Sequence, residues 1–523
     1  MNRNWLSLVL SAVALGTAGS AFSDQTVEKV ADFTFGADGS GAGAGGYAPL
    51  DRFTQVGTNL WFTTSLGGAY DLGTISRFDL TTHQVVQVAS LVNVGDVYTG
   101  SKPESSLLVI GDEGYFTAVG KGVNNKGTIA KINLTSGIIT TLYAFPATGL
   151  PTGYAPRAGL TQIGDDLWTT TQSGGATSGG TIVKYNLTSG LTTLVTNFDG
   201  PLLGKVPDAG FTQVGDAWYF TTSQGGSTTK TTNYPVSILP DGSTVTITNS
   251  TSNGAGTLGR VTFDSFGVPT VSKVYDVPGG ASQFLYEEPT LVGTNSLYFT
   301  STGPNSLPGA ILRYDISTGF FTNLFSFSTN PIPAGLYGTR PGYSGLVEWQ
   351  GELYFINRNG GTNATAPNSG GGTVAKFNIA SNTVIKLADL GNPNLASDLG
   401  SPVGSGGFFG TGTIVQETNR FFLYYPLTSG GASGLGSIIR VLLPPQPIQA
   451  SLTLTNDATN VFLAWSGGYP PFDVVTNSDF SVAPASWAAA ITNLTSADNT
   501  TNWSVTLPAA ATGTFYRIRG QAW

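Results

Sequence analysis

The sequence predicts an all-β protein: a seven-bladed β-propeller followed by a small β-sandwich. Three observations carry the prediction. The phrase AGLTQIGDDLWTTT at 158–171 returns as AGFTQVGDAWYFTT at 209–222. Each copy of the unit around it breaks into four short runs rich in β-branched and aromatic residues, with Gly, Asp and Asn between them. A strand-like stretch near the start of the chain has no unit before it, and the last unit has no fourth strand after it.

The chain of 523 residues opens with a stretch, 1–23, that reads as a signal peptide. Arg3 gives it a positive start, Trp5–Gly16 is mostly apolar but too short to span a bilayer, and Ala21 and Ser23 form a small-x-small cleavage site. The expected destination is outside the cell or on its surface. No later stretch is long and apolar enough for a membrane helix. VEKVADFTF at 27–35 is the strand without a unit. It is expected to complete the seventh blade and so close the ring, hiding edges that an open array would expose.

Seven bodies align on an aromatic in their second segment: Trp61, Tyr115, Trp168, Tyr219, Tyr298, Tyr354 and Phe422. The first four recur roughly every fifty residues, a period that marks a repeat architecture. The later gaps are widened by inserted loops, chiefly 226–255. In the third copy the segments are Leu160–Ile163, Leu167–Thr171, Thr181–Asn186 and Leu191–Phe198, with IGDD and NLTSGL as tight turns. Four antiparallel strands repeated seven times without helical periodicity make a propeller, over 24–442. LLPPQPIQA then supplies a proline-bearing linker, 443–449. Residues 450–523 change pattern to short alternating strands, among them VFLAWSGG, FDVVTNS and TFYRIRG. They are similar to fibronectin type III or immunoglobulin-like sandwiches, with Trp465 and Tyr516 in or beside the core.

The pieces LWFTTSLGG…GTISRF at 60–78 and LWTTTQSGG…GTIVKY at 167–185 carry a further likeness. The body over about 30–445 resembles the GloVer tandem repeat of exported bacterial proteins, common in Verrucomicrobia, with Phe62 and Phe220 where that repeat often has Gly. The resemblance implies export and a propeller, and brings no assigned reaction.

Composition removes several chemistries. With no cysteine there is no thiol nucleophile or thiolate metal site, and a single histidine, His83, argues against a histidine metal site or a His-assisted serine. No metal site, cofactor or catalytic residue is expected. Charged residues are 10% of the chain, against about a quarter in ordinary domains. The net charge of −8 and the lack of a basic patch argue against nucleic acid as a partner. The oligomeric state is left open. Asp112–Glu113, Asp165–Asp166 and Glu287–Glu288 are adjacent acids, expected to serve turns or to point to opposite faces of a strand rather than to work as acid/base pairs.

Every third strand carries a base: Arg77, Lys131, Lys184, Arg260, Arg313, Lys376 and Arg440. These could form a cationic ring, but five have Asp or Asn two residues later on the same strand face, which favours a structural role beside the turn. A ligand site is expected elsewhere. The connections into each first strand repeatedly carry aromatics with polar neighbours and should share one face with the Gly-rich second-to-third loops. The candidate ligand residues are Tyr47, Tyr98, Glu104, Tyr154, Arg157, Asp208, Glu288, Arg340 and Tyr343. Tyr154, Arg157 and Asp208 form the expected centre, a ring to stack on a sugar beside an arginine and an acid. The alternative role for each tyrosine is a plug between blades. The function expected is non-catalytic binding of a glycan or surface protein. The alternatives are a structural surface or matrix protein making self-contacts, and a polysaccharide-active enzyme using carboxylate, Tyr or Arg side chains.

Overall fold

The computed structural model describes residues 26–34, 46–147, 152–226, 254–278, 283–303, 308–327, 337–361, 371–391, 399, 411–418, 420–445, 448–454, 460–467, 472–477, 488–494, 502–508 and 515–519. The leader 1–23, most of the insertion 226–255, and Phe408 and Phe409 lie outside them.

Seven four-stranded antiparallel sheets form a β-propeller. Blades 1 to 7 open with Thr54–Val56, Leu108–Ile110, Thr161–Ile163, Thr212–Val214, Thr290–Val292, Val347–Trp349 and Thr413–Glu417. Six blades run through their strands in chain order; blade 3 continues with Asp166–Thr171, Thr181–Asn186 and Thr192–Asn197. The first strands of blades 4, 5 and 6 touch one another in turn, so they line the inner edge of the ring. Blade 7 takes its fourth strand from the other end of the chain. Val27–Asp32 pairs antiparallel with Ser437–Leu442, as the unpaired opening strand requires.

Each blade is sandwiched between two others, so its middle strands are buried on both faces. The second strand of blade 3, DLWTTT, is buried in five of its six positions without alternating in polarity. Threonine fits such a strand because its methyl packs while its hydroxyl reaches the next blade. Thr63 donates to the carbonyl of Ser105, Thr117 to Ala158, Thr221 to Glu287 and Thr300 to Ser344. The threonines that open first strands form a second belt: Thr54 to Leu107, Thr290 to Leu346, and Thr413 to Phe53, a bond that joins blade 7 to blade 1. Between the belts lie apolar interblade clusters, such as Trp168, Ile182 and Phe198 of blade 3 against Phe220 and Val261 of blade 4.

Two sequence expectations need correction. In six blades the aligned aromatic faces the third-strand base across the sheet, as Trp61 faces Arg77 and Trp168 faces Lys184. In blade 7 the residue facing Arg440 is Tyr424, not Phe422, because the second strand there, Arg420–Leu427, is longer and holds four aromatics. The base is also not held by the Asp or Asn two residues on. In blades 2, 3 and 6 it pairs with the acid that opens the second strand, Lys131–Glu113 at 3.5 Å, Lys184–Asp166 at 2.7 Å and Lys376–Glu352 at 2.7 Å, and in blade 7 with the acid that ends the first strand, Arg440–Glu417 at 2.8 Å. The register explains this. Asp166 stands opposite Asn186, so the acid comes alongside the end of the third strand. The Asp or Asn instead caps the turn. Asn186 Oδ1 accepts from the amides of Thr188 and Ser189, and Asp79 from those of Thr81 and Thr82. In blade 5 the bonds from Ser317 and Thr318 hold Asp315 down to about 2. The bases thus serve the tight-turn end of the sheet. Arg440 also bonds Glu28, tying the closing strand to its blade.

Leu443 packs into the blade 6–7 core, and the carbonyls of Pro444 and Pro445 accept bonds from Trp349 and Gln350 at 2.9 Å each, so the linker begins docked on blade 6. Beyond it lie two three-stranded antiparallel sheets, Gln449–Leu454, Asn460–Ser466 and Asn502–Pro508, then Ala488–Leu494, Phe472–Asn477 and Phe515–Arg519. Leu463, Trp465 and Leu507 of one share an apolar core with Phe472 and Val474 of the other, and Tyr516 packs against it. Among the described residues no helix is long and apolar enough to cross a membrane.

Candidate functional site

Blades 1, 2, 3, 4 and 6 are each entered by a connection that pairs with the loop after the blade's own second strand. The bridges Tyr47–Leu66, Ser101–Gly120, Tyr154–Ser173, Lys205–Gln224 and Thr339–Asn359 put both sets of loops on one face. The approach is tight. Gly153 has φ +68, and a Cβ there would sit 2.1 Å from Thr171 Oγ1, so only glycine fits. A left-handed residue then turns the chain inward ahead of a proline, as Lys102 does before Pro103 and Ala155 before Pro156. The residues after these prolines meet at the mouth of the central channel.

There they line a cleft built by blades 1 to 5 from Leu50, Asp51, Arg52, Glu104, Arg157, Asp208, Tyr286, Glu287 and Glu288, with Ala158, Gly159, Ala209 and Gly210 between them. Arg157 is its hub. Its Nε donates to Glu104 Oε2 at 2.7 Å, and its Nη1 lies 4.0 Å from Asp208 Oδ1. Asp208 also accepts from Gln172 Nε2 at 2.8 Å and from Ser223 Oγ at 3.2 Å. Burial raises the Asp208 carboxyl to about 6 against the pull of Arg157 and these donors. Glu287 is pushed well up, first by burial and then by the neighbouring acids Asp51 and Glu288.

A second charged pair spans the channel. Arg52 Nη2 of blade 1 donates to Glu288 Oε2 of blade 5, and that acid holds the guanidinium firmly charged. These blades are not neighbours: blades 6 and 7 lie between them one way, and blades 2, 3 and 4 the other. Asp51 braces the arginine's base, accepting from the Arg52 amide at 2.7 Å and from the Ser106 amide of blade 2 at 2.6 Å.

Of the expected ligand residues, the structure brings Glu104, Arg157, Asp208 and Glu288 together and sends most of the aromatics elsewhere. Tyr154 packs into the cluster between blades 2 and 3 with Lys126 Nζ 4.0 Å over its ring, so it is an interblade plug and not a cleft wall. Tyr47 donates to Asp71 in the second-to-third loop of its own blade. Tyr98 sits in a two-residue hairpin, and its carbonyl accepts from Thr141 of its own blade's fourth strand. Tyr343 joins a parallel stack beside the cleft. Phe284 and Tyr286 lie 6.2 Å apart at 9°, Tyr286 and Tyr343 5.2 Å apart at 7°, and Arg358 covers Tyr343 at 5.0 Å. Each face of these tyrosines already has a neighbour, which removes the expected sugar-stacking surface. Arg340 stands at the left-handed turn into blade 6, with φ 60, and its charge is felt at Tyr286.

Sequence reasoning missed Asp51, Arg52 and Glu287 as cleft residues. Nothing local sets LDRF apart, and Glu287 and Glu288 are expected to point to opposite faces of a strand. Residues 283–289 are not strand, so Glu287 and Glu288 both reach the cleft. Among the described residues no group of three or more His, Asp or Glu side chains is set to hold a metal ion.

The sequence signature of the Gloeobacter/Verrucomicrobia repeat matches residues 12–234. No curated protein matches the chain in sequence. Among solved structures, an oligogalacturonate lyase from Vibrio parahaemolyticus aligns at 10% identity and TM-score 0.42, over 81% of this chain and 99% of that one. TolB from Acinetobacter baumannii aligns at 13% and 0.30, over 75% and 78%. An ancestral GH74 enzyme aligns at 9% and 0.46, over 79% and 51%.

Proposed function

We propose that this chain, which carries the Gloeobacter/Verrucomicrobia repeat, is an exported binding propeller that takes a hydroxyl-rich ligand, a glycan segment above all, into the cleft at its channel mouth. The observation that carries the reading is the convergence of Glu104, Arg157 and Asp208 from three consecutive blades, with Arg52, Glu287 and Glu288 beside them. Sugar hydroxyls both donate and accept. Arginine offers only donors and carboxylates only acceptors, and their charged bonds are worth roughly 1.5–3 kcal/mol each. With the aromatic faces covered, recognition runs through these groups and not through stacking. The C-terminal pair of sheets serves, on this reading, as a fibronectin-like spacer.

An array of neutral, acidic and amino oligosaccharides tests the proposal. The mature protein should bind at least one class, and Arg157→Ala should weaken that binding at least tenfold in protein that remains folded by circular dichroism. Binding that survives Arg157→Ala, or an array left blank, overturns it. The burial of Asp208 favours a catalytic second reading, because it pushes the carboxyl up to about 6, where it can still exchange a proton close to neutral pH. New reducing ends from an incubated polysaccharide, lost in Asp208→Asn, would establish it.

A further inference from the structure

The seven blades repeat the same frame, so a comparison of blades within one chain separates what the fold needs from what it does not. The residue four places before the first strand is Leu50, Glu104, Arg157, Asp208, Tyr286 and Tyr343 in blades 1 to 6. One position thus holds an aliphatic, two acids, a base and two aromatics. The first five line the cleft, and the sixth stacks on the fifth. Nearby positions are far more uniform. Two residues before the first strand, blades 3, 4 and 6 have Gly159, Gly210 and Gly345, and blade 2 has Ser106. Blade 7 has Thr411, and blades 1 and 5 alone carry charge there, with Arg52 and Glu288, the pair that crosses the channel. The small residues make room for it: a Cβ on Gly210 would lie 2.4 Å from Glu288 Oε1.

Drift on an idle surface would scatter exposed polar residues. Here Leu50 and Asp208 are buried, at 4% and 6% exposure, and Glu104, Arg157, Tyr286 and Tyr343 are half-buried. The charged ones are paired across blades, Glu104 to Arg157 and Arg157 to Asp208. Covered ion pairs are a poor route to stability, because desolvation offsets most of the attraction and apolar residues of like size serve the fold as well. A fold needing only a closed ring would have repeated one small residue here, as it does two places later.

We infer that ligand choice is set at this single position in each blade, with Glu104, Arg157 and Asp208 as the polar specificity residues and the Arg52–Glu288 pair fixing the shape of the ring they sit on. This rests on the binding reading above, so its test has one arm that needs no ligand. The triple variant Glu104→Gln, Arg157→Gln, Asp208→Asn should melt at or above the wild-type temperature, since it removes covered charges together and keeps the shape of both acids. A fall of more than several degrees would make these residues part of the frame and overturn the inference. In the second arm, the single variants Glu104→Gln and Asp208→Asn are put on the same oligosaccharide array beside Thr212→Val, whose hydroxyl bonds Pro289 in the first-strand belt. The cleft variants should reorder the bound glycans at least tenfold relative to one another, while Thr212→Val keeps the wild-type order at a lower melting temperature. An unchanged order in the cleft variants, or an equal reordering by Thr212→Val, overturns the inference. A blank wild-type array defeats the glycan reading alone, and the melting arm still decides whether these residues belong to the fold.

Discussion

The two ends of the ring treat the repeat differently. At the tight-turn end the blades agree. The third strands of blades 1, 2, 3, 5, 6 and 7 bury their residues in the same order, and bonds to an acid at the turn between the first and second strands recur in blades 2, 3, 6 and 7. At the mouth, equivalent positions carry Leu50, Glu104, Arg157 and Asp208. Repetition marks what each blade needs in order to stack on its neighbours. Divergence marks what the ring needs only once.

If that division is sound, the largest effect should come from removing a shared element that occurs only once in space. Deleting residues 24–35 takes away the strand that completes blade 7, with its bond from Arg440 to Glu28. The cooperative melting transition should be lost, as followed by near-UV circular dichroism. A truncated chain that melts like the mature protein would break the comparison at its base.

An intermediate effect is expected at the mouth, and its sign is opposite to that of a fold residue. Burial raises Asp208 from 3.8 to about 6, so between those values the folded protein keeps a proton that the unfolded chain has released. Its contribution is full below the lower value and is lost as pH rises through the upper one. A shift of this size is on the order of 2–3 kcal/mol. Asp208→Asn should therefore be more stable than the parent at pH 7 and show a flatter dependence from pH 4 to 6 in urea unfolding. Parallel curves for the two proteins would mean that the acid is satisfied and belongs to the frame.

The smallest effect is expected where the frame is most redundant. Lys184→Met keeps the packing over Trp168, with the parent amine 5.8 Å above the ring, and gives up a partly exposed ion pair to Asp166. Such pairs are worth about 0–1 kcal/mol. The denaturation midpoint should barely move, and glycan binding should stay at the parental level. A binding defect would bring back the cationic ring that the structure moves to the far end of the sheet.

How much of this was legible follows from what repeats. The blades, the closing strand and the shared loop face could be read because strand periodicity and recurring phrases survive in the order of residues. The partner of each base could not. Lys184 and Asn186 stand together in sequence, but the acid between them in space, Asp166, enters only through the register of the neighbouring strand. Blade 7 was read two residues out of step because its run of aromatics offers several equivalent anchors. In the cleft, Arg157 and Asp208 were found from their repeat position. Tyr154 was misjudged because an aromatic at an entry loop looks the same in sequence whether its face is free or covered by Lys126. Arg52 and Glu288 lie 236 residues apart, and nothing local announces their meeting. A comparison of the small residues at the same place in the other blades would have singled out both.

The closing strand also sets a schedule. Glu28 leaves the ribosome 412 residues ahead of Arg440, its partner in the finished blade. At about 5–20 residues per second, the first strand waits some tens of seconds with its hydrogen-bonding edge bare. Blades 1 to 6 can each form from their own stretch of chain as it appears, but the ring cannot lock until the last blade arrives. The waiting edge is the interval's hazard, open to pairing with a strand of another molecule. Charges at both ends of that strand, Glu28 and Lys29 near its start and Asp32 at its close, keep it soluble until its own partner is made.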